Sequence, residues 1–337
     1  MTSQRRIRKD EHVENYLKTD VHRNALFDDV YLDHYSLSSL SIDEVDTSID
    51  FLGKKISMPL MVNAMTGGGE ISADINEDLS SICEKLKIPM ALGSQAIGLE
   101  DEDAVESFSL VKNKDLVKLG NLGAERSLDD FKAAVDMIGA DAIQVHLNIA
   151  QELFMPEGDR DFRGYKDNIK NLINNLKTPL IVKETGSGLS KKAVAELIDM
   201  GVTYVDIAGA GGTNFIEIED MRDFESDYRE FYKWGVPTAK AIIEARSLSD
   251  EIFIIGSGGI RDAVDMAKAL VLGADMTAIS GEALRYLVHG GYDACYEYLD
   301  GLHKRLKILM VMVGAKNIKE LKNVEYKLTG KLKDLVD

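Results

Sequence analysis

The stretch QVHLNIAQE, residues 144–152, sets Gln144, His146 and Asn148 in alternation with Val145, Leu147 and Ile149. In a strand this sends the polar side chains to one side and the apolar ones to the other. Gln151 and Glu152 close the stretch. His146 can donate to a phosphate or act as an acid or base, and Asn148 and Gln151 can orient a substrate. Glu152 can bind a hard cation such as Mg2+, which takes one or two carboxylates plus ligand phosphates. Each alone has an ordinary reading, because a buried histidine is usually only hydrogen-bonded and a lone loop glutamate is usually solvated. Their grouping points to chemistry.

Other chemistry-bearing residues also end short apolar runs. GSGGIRD, residues 256–262, and SGE, residues 280–282, can bind phosphate. Glycines there let backbone N–H groups approach an anion, and a following helix N-terminus favours negative charge. Tight-turn glycines are the alternative for Gly256, Gly258 and Gly259. Lys183, late in PLIVKET, needs an anionic or electron-rich partner if buried, or an ion pair with Glu184 or a neighbouring carboxylate. Thr213 and Asn214 can hydrogen-bond a ligand head group or simply shape a turn. RRIRKDEH, residues 5–12, is either a solvated tail or an arm that folds over a site, bringing Arg8, Lys9 and His12 to an anion.

The elements that must hold these residues repeat. Eight apolar runs (58–66, 88–94, 116–123, 142–148, 179–185, 204–212, 252–259 and 274–281) alternate with amphipathic helical patterns. Ser127 and Ser190 have the setting of N-caps, and Gly139, Gly201 and Gly273 that of C-cap glycines. Buried strands with helices between them form a helix-covered parallel sheet. Eight such units predict an α/β fold, a (β/α)8 TIM barrel, over residues 51–337, preceded by an N-terminal arm over 1–50. Chemistry is then expected at the C-terminal strand ends. The segment 213–236 is long for a connection in this fold, as site-closing loops often are. Residues 303–314 read as a final amphipathic helix.

Composition narrows the partners. The chain has 337 residues, 45% of them hydrophobic, and 40 basic against 57 acidic residues give a net charge of −17. That argues against broad nucleic-acid or anionic-membrane binding, while leaving room for a local basic pocket. Cys83 and Cys295 form no disulfide framework or metal spacing and read as free thiols of a reducing compartment. With no signal peptide and no long apolar run, the expectation is a soluble, cytoplasmic protein. GxGxxG after a first strand, Walker A and HExxH are all missing.

Taken together, RKDEH, NAMTGGG, GSQ, QVHLNIAQE followed by MPEGDR, VKE, GGTN and GSGGIRD resemble, in order over about residues 5–320, type 2 isopentenyl diphosphate isomerase. The resemblance implies an FMN enzyme on a TIM barrel. It needs reduced flavin and Mg2+, uses NADPH as reductant, and interconverts isopentenyl and dimethylallyl diphosphates without net redox. Homotetramers or homo-octamers are expected. By the same resemblance FMN meets Ala64, Met65, Thr66, Ser94, Asn121 and Thr213, and its phosphate meets Gly258, Gly259, Arg261, Ser280 and Gly281. Lys183 lies by the flavin ring and tunes its reduced form, and Gln151 positions the alkene. Substrate diphosphate meets Arg8, Lys9, His12, His146, Asn148 and Gln151, with Glu152 on Mg2+. One departure is Ala96-Ile97, where some members place a basic residue. The rival readings are an FMN-dependent oxidoreductase of the α-hydroxy-acid oxidase type and a barrel that only binds a phosphorylated ligand. The oxidases carry a His-Gly-Gly-Arg stretch, where this chain has GAGGTN.

Overall fold

The computed structural model describes residues 4–19, 24–69, 71–223 and 226–336, the side chains of 4–6 excepted. Eight parallel strands close into a barrel: Leu60–Val62, Met90–Ala91, Lys118–Gly123, Ala142–Leu147, Leu180–Glu184, Tyr204–Asp206, Phe253–Ser257 and Met276–Ile279. We number them 1 to 8. Strand 8 pairs with strand 1, which removes every sheet edge. The predicted (β/α)8 TIM barrel is the fold, and each expected run supplies one strand.

The interior changes character with height, and the two-residue period of a strand shows where. Met61, Leu119, Ile181, Ile255 and Met276 fill an apolar lower layer. Two residues on from the first four stand Asn63, Asn121, Lys183 and Ser257, all buried. Register sets Asn121 beside Gln144, and His146 beside Lys183. The polar layer therefore lies towards the C-terminal strand ends.

Local chemistry terminates the helices as expected. Ser127 accepts from Asp130 N at 3.2 Å and Ser190 from Ala193 N at 3.3 Å. Gly139 ends the helix Leu128–Ile138 with φ 62°. The last long helix, Gly281–Val313, contains a break at Gly291, where φ is 75°.

A hairpin of Ile49–Phe51 and Lys54–Ile56 plugs the other end of the barrel. Its turn takes positive φ at both Leu52 (52°) and Gly53 (74°), the demand of a two-residue hairpin turn. Phe51 packs its ring 5.3 Å from Phe253 and 6.3 Å from Tyr204, the first residues of strands 7 and 6. This hairpin straddles residue 50. A further strand pair, Val30–Leu32 with Tyr326–Leu328, ties the two ends of the chain together. Cys83 and Cys295 are buried free thiols. Among the described residues no helix is long and apolar enough to cross a membrane.

Candidate active site

A cavity of about 330 Å³ opens at the C-terminal mouth of the barrel. Every residue that the family resemblance assigns lines it except Thr66, while of the other candidates Gly256 does not reach it and Asn214 instead donates from Nδ2 to Tyr232 O at 3.1 Å. Ala64 and Met65 reach the cavity, but the Thr66 side chain is buried beneath the loop, its hydroxyl 2.8 Å from that of Ser72. Ala96 and Ile97 do line it, leaving that stretch without a cation.

Cations gather there despite the acidic chain: Arg8, Lys9, Arg126, Lys183, Arg261 and Arg285 all line the cavity. The N-terminal helix Gln4–Lys18 lies across the mouth. Its Arg8 sits 3.3 Å from Glu157, its His12 ring packs edge-on to Phe215 at 5.8 Å, and Asn15 Nδ2 donates to Ile218 O at 3.5 Å. At its far end Arg285 donates to Thr19 O at 3.1 Å, and Tyr16 covers Gly281 so closely that a Cβ there would lie 1.9 Å from the tyrosine hydroxyl.

Gln151 Nε2 donates to Glu219 Oε1 at 2.9 Å, and His12 Nε2 lies 2.9 Å from the same oxygen. Arg222 holds the other carboxylate oxygen at 2.5 Å while also reaching Glu11 and Glu157 at 2.9 Å each. Burial would raise the Glu219 pKa, but His12, Gln151 and Arg222 outweigh it and hold the carboxyl down at about 2. Burial lowers the His12 pKa against the pull of Glu219. Sequence reasoning missed Glu219 and Arg222. The only signal was the length of segment 213–236, which folds into the helix Phe215–Asp220 and the turn Arg229–Phe231. Asn63 stood within a quoted motif and Arg126 in GAERS, with no spacing to mark either.

Lys183 is 6% exposed and donates to the backbone carbonyl of Glu184 at 2.6 Å. The Glu184 carboxylate is taken up by the N–H groups of Thr185, Gly186, Ser187 and Gly188, so the loop after strand 5 closes around its own acid. Glu152 Oε1 accepts from Asn148 Nδ2 at 2.6 Å and its Oε2 from Asp159 N at 2.8 Å. His146 Nδ1 lies 2.7 Å from Asn121 Oδ1. Burial first, then Lys183, Lys9 and Arg126, push the His146 pKa down to about 3, so the ring is neutral near pH 7.

The donor sets fit two groups. After strand 7, Gly258 and Gly259 take φ 101° and 81°, and a Cβ on either would fall 2.2 and 2.5 Å from the carbonyl oxygens of Gly209 and Gly211. Beside them the helix Gly281–Val313 starts without a side-chain cap from Ser280, and Arg261 lines the same wall. Glycine backbone, first-turn N–H groups and a guanidinium suit a phosphate, and the buried Lys183 suits an electron-rich ring. Among the described residues no group of three His, Cys, Asp or Glu is placed to hold a metal. Glu152 alone suits Mg2+ that draws its other ligands from a bound diphosphate.

A closed barrel with a cation-lined mouth and, after strands 7 and 8, a glycine-rich wall suited to a phosphate is the architecture of a barrel enzyme. A family model described as FMN-dependent dehydrogenase matches residues 150–327, slightly over half of the chain. The fold superimposes on a flavocytochrome b2 mutant with TM-score 0.72 at 19% identity, covering 96% of this chain and 84% of that one. It likewise matches mandelate oxidase with benzoyl-formic acid, with TM-score 0.68 at 16% identity and 94% of both chains. Identities this low establish the fold alone. The chain is 40% identical over 326 residues to isopentenyl-diphosphate delta-isomerase of Geobacillus sp. (strain WCH70), covering 96% of this chain and 93% of that one. It is 42% identical over 330 residues to the enzyme of that name from Bacillus cytotoxicus, covering 97% and 94%. The corresponding figures for Staphylococcus haemolyticus are 36%, 336 residues, 99% and 96%. The chain belongs to the isopentenyl-diphosphate delta-isomerase family, within the FMN-dependent dehydrogenase class of barrels.

Proposed function

We propose that this chain interconverts isopentenyl and dimethylallyl diphosphates in isoprenoid biosynthesis, using reduced FMN as acid/base cofactor and Mg2+ to hold the diphosphate. One observation carries the reading: a single cavity unites the phosphate cradle of Gly258, Gly259 and Ser280 with Asn148, Gln151 and Glu152 and with arm cations Arg8 and Lys9. That puts two groups of anion-binding residues on one cavity.

Bound reduced flavin supplies proton donor and acceptor for the double-bond shift, and its electron-rich ring steadies developing positive charge. The side chains do the rest. Lys183, fixed by the Glu184 carbonyl, places a cation beside the ring. Gln151, held by Glu219, positions the alkene. Arg8, Lys9 and His12 neutralise the diphosphate, Asn148 orients it, and Glu152, held by the Asn148 amide, offers a hard oxygen to Mg2+. The arm helix covers the mouth and limits water entry, which strengthens every charge interaction beneath it. The same family resemblance supports NADPH as reductant, a homotetramer or homo-octamer, and a cytoplasmic location.

The test is anaerobic. The protein is reduced with dithionite or NADPH and given Mg2+ and isopentenyl diphosphate. Dimethylallyl diphosphate formed only after reduction is the expected result. A flavin spectrum with no isomerisation would move the function to a flavin oxidoreductase, and failure to take up FMN would remove the cofactor assignment.

A further inference from the structure

A chain of hydrogen-bonded side chains crosses the barrel at the floor of the cavity, and its donors all run one way. It begins at Asp206, fully buried, whose carboxylate accepts from Ser257 Oγ and from Asn63 Nδ2, the latter at 2.7 Å. Asn63 Oδ1 accepts from Gln144 Nε2 at 2.8 Å and from the Ala64 N–H at 2.9 Å. Gln144 Oε1 accepts from Asn121 Nδ2 at 2.7 Å. Asn121 Oδ1 meets His146 Nδ1 at 2.7 Å.

Direction is forced at each link. A carboxylate only accepts, so the Asn63 atom facing Asp206 is its NH2 group, and the Ala64 N–H fixes the same orientation independently. Each amide has one donating and one accepting end, so the orientation passes unchanged through Gln144 and Asn121. At the end of the chain Nδ1 of His146 must carry the proton. A neutral imidazole protonated there has a lone pair on Nε2.

We infer that Asp206 is a positioning residue which, through Asn63, Gln144 and Asn121, fixes the tautomer of His146 so that Nε2 meets the bound ligand as a hydrogen-bond acceptor. The depressed pKa of His146 agrees, since the ring stays neutral. A bare nitrogen repels the oxygens of a fully ionised diphosphate and attracts a hydroxyl or N–H. On the function proposed above, which this last step rests on, the donor is a hydroxyl or ring N–H of the flavin, and His146 belongs to the cofactor side of the cavity.

The tautomer is read directly by nitrogen NMR of flavin-loaded protein carrying 15N-histidine at neutral pH. Six histidines are present, and His146 is assigned by the resonance lost in His146→Gln. One protonated Nδ1 and one bare Nε2 are expected; a proton on Nε2, or an averaged pair, overturns the inference. Asp206→Asn keeps an amide oxygen for Asn63 and an NH2 for Ser257, so it should retain the tautomer. Asp206→Leu leaves the Ala64 N–H as the one remaining restraint on Asn63 and should give an averaged tautomer, and Gln144→Leu, which cuts the chain at its middle, should lose the tautomer altogether. An unchanged tautomer in either folded variant overturns the role of the chain. Removing the flavin should shift Nε2, while inorganic diphosphate with Mg2+ added to loaded protein should leave it in place; any other pattern overturns the cofactor-side assignment. None of these readings needs turnover, so a protein that fails to isomerise still tests the tautomer.

Discussion

Gln151 and Glu219 meet at 2.9 Å across 68 residues of sequence, joining the short helix after strand 4 to the helix after strand 6. The carboxylate is fully buried and ionised, with Arg222 on its other oxygen. A glutamine amide is symmetric enough in shape to flip, but here only its NH2 end can face the acid, so its oxygen is turned elsewhere. The side chain assigned to orient substrate is thus set by a residue that does not itself line the cavity.

Glu219→Gln should therefore cost activity through geometry. Loss of orientation of this kind is worth about 10²-fold in kcat. Flavin binding should be retained, because the phosphate cradle is built from other loops. Steady-state kinetics beside flavin absorbance check this, and an unchanged kcat would remove Glu219 from the positioning role.

Glu152→Gln should weaken the Mg2+ dependence and lower turnover while leaving FMN bound. The amide still occupies the space beside Asn148 but offers no charge to a cation. A Mg2+ titration of initial rate is the measurement; wild-type rates at every Mg2+ concentration would exclude the metal role.

Acid should destabilise the fold in two stages. His146 has its pKa lowered from 6.5 to about 3, so below about pH 6.5 the unfolded chain takes up a proton that the native state refuses. Stability is then full above pH 6.5 and falls as pH drops towards 3, by up to about 1.4 kcal/mol per pH unit. Glu219, lowered from 4.5 to about 2, adds a loss below about pH 4.5. Urea midpoints measured against pH should show a shallower fall between pH 6.5 and 4.5 in His146→Gln than in wild type.

Phe51→Ala tests the plug at the far end. The ring is 1% exposed and packs on Phe253, so its removal should cost about 3–5 kcal/mol. Because the plug lies at the N-terminal strand ends, the rate per folded molecule should be close to wild type at low temperature. Thermal unfolding paired with a low-temperature assay separates the two effects.

The sequence by itself determined the eight-strand count, the helix caps at Ser127 and Ser190, and the polar strand ends that became the cavity wall. These are local matters: a period of two, a capping oxygen, a glycine at a helix end are all decided within a few residues. It also placed the cradle glycines and the strand-4 residues, since barrel topology sends every strand end to one mouth. What only the tertiary structure decided involves residues distant in the chain. Asn63 and Asp206 meet across 143 positions, Gln151 and Glu219 across 68, and Arg222 and Glu11 across 211. Thr66 shows the converse, adjacent in sequence to cavity residues yet turned to the hydroxyl of Ser72, six positions on. Periodicity says which face a side chain occupies; the partner it finds there, and hence its charge and its proton, depends on closure of the barrel and the path of the loops across its mouth.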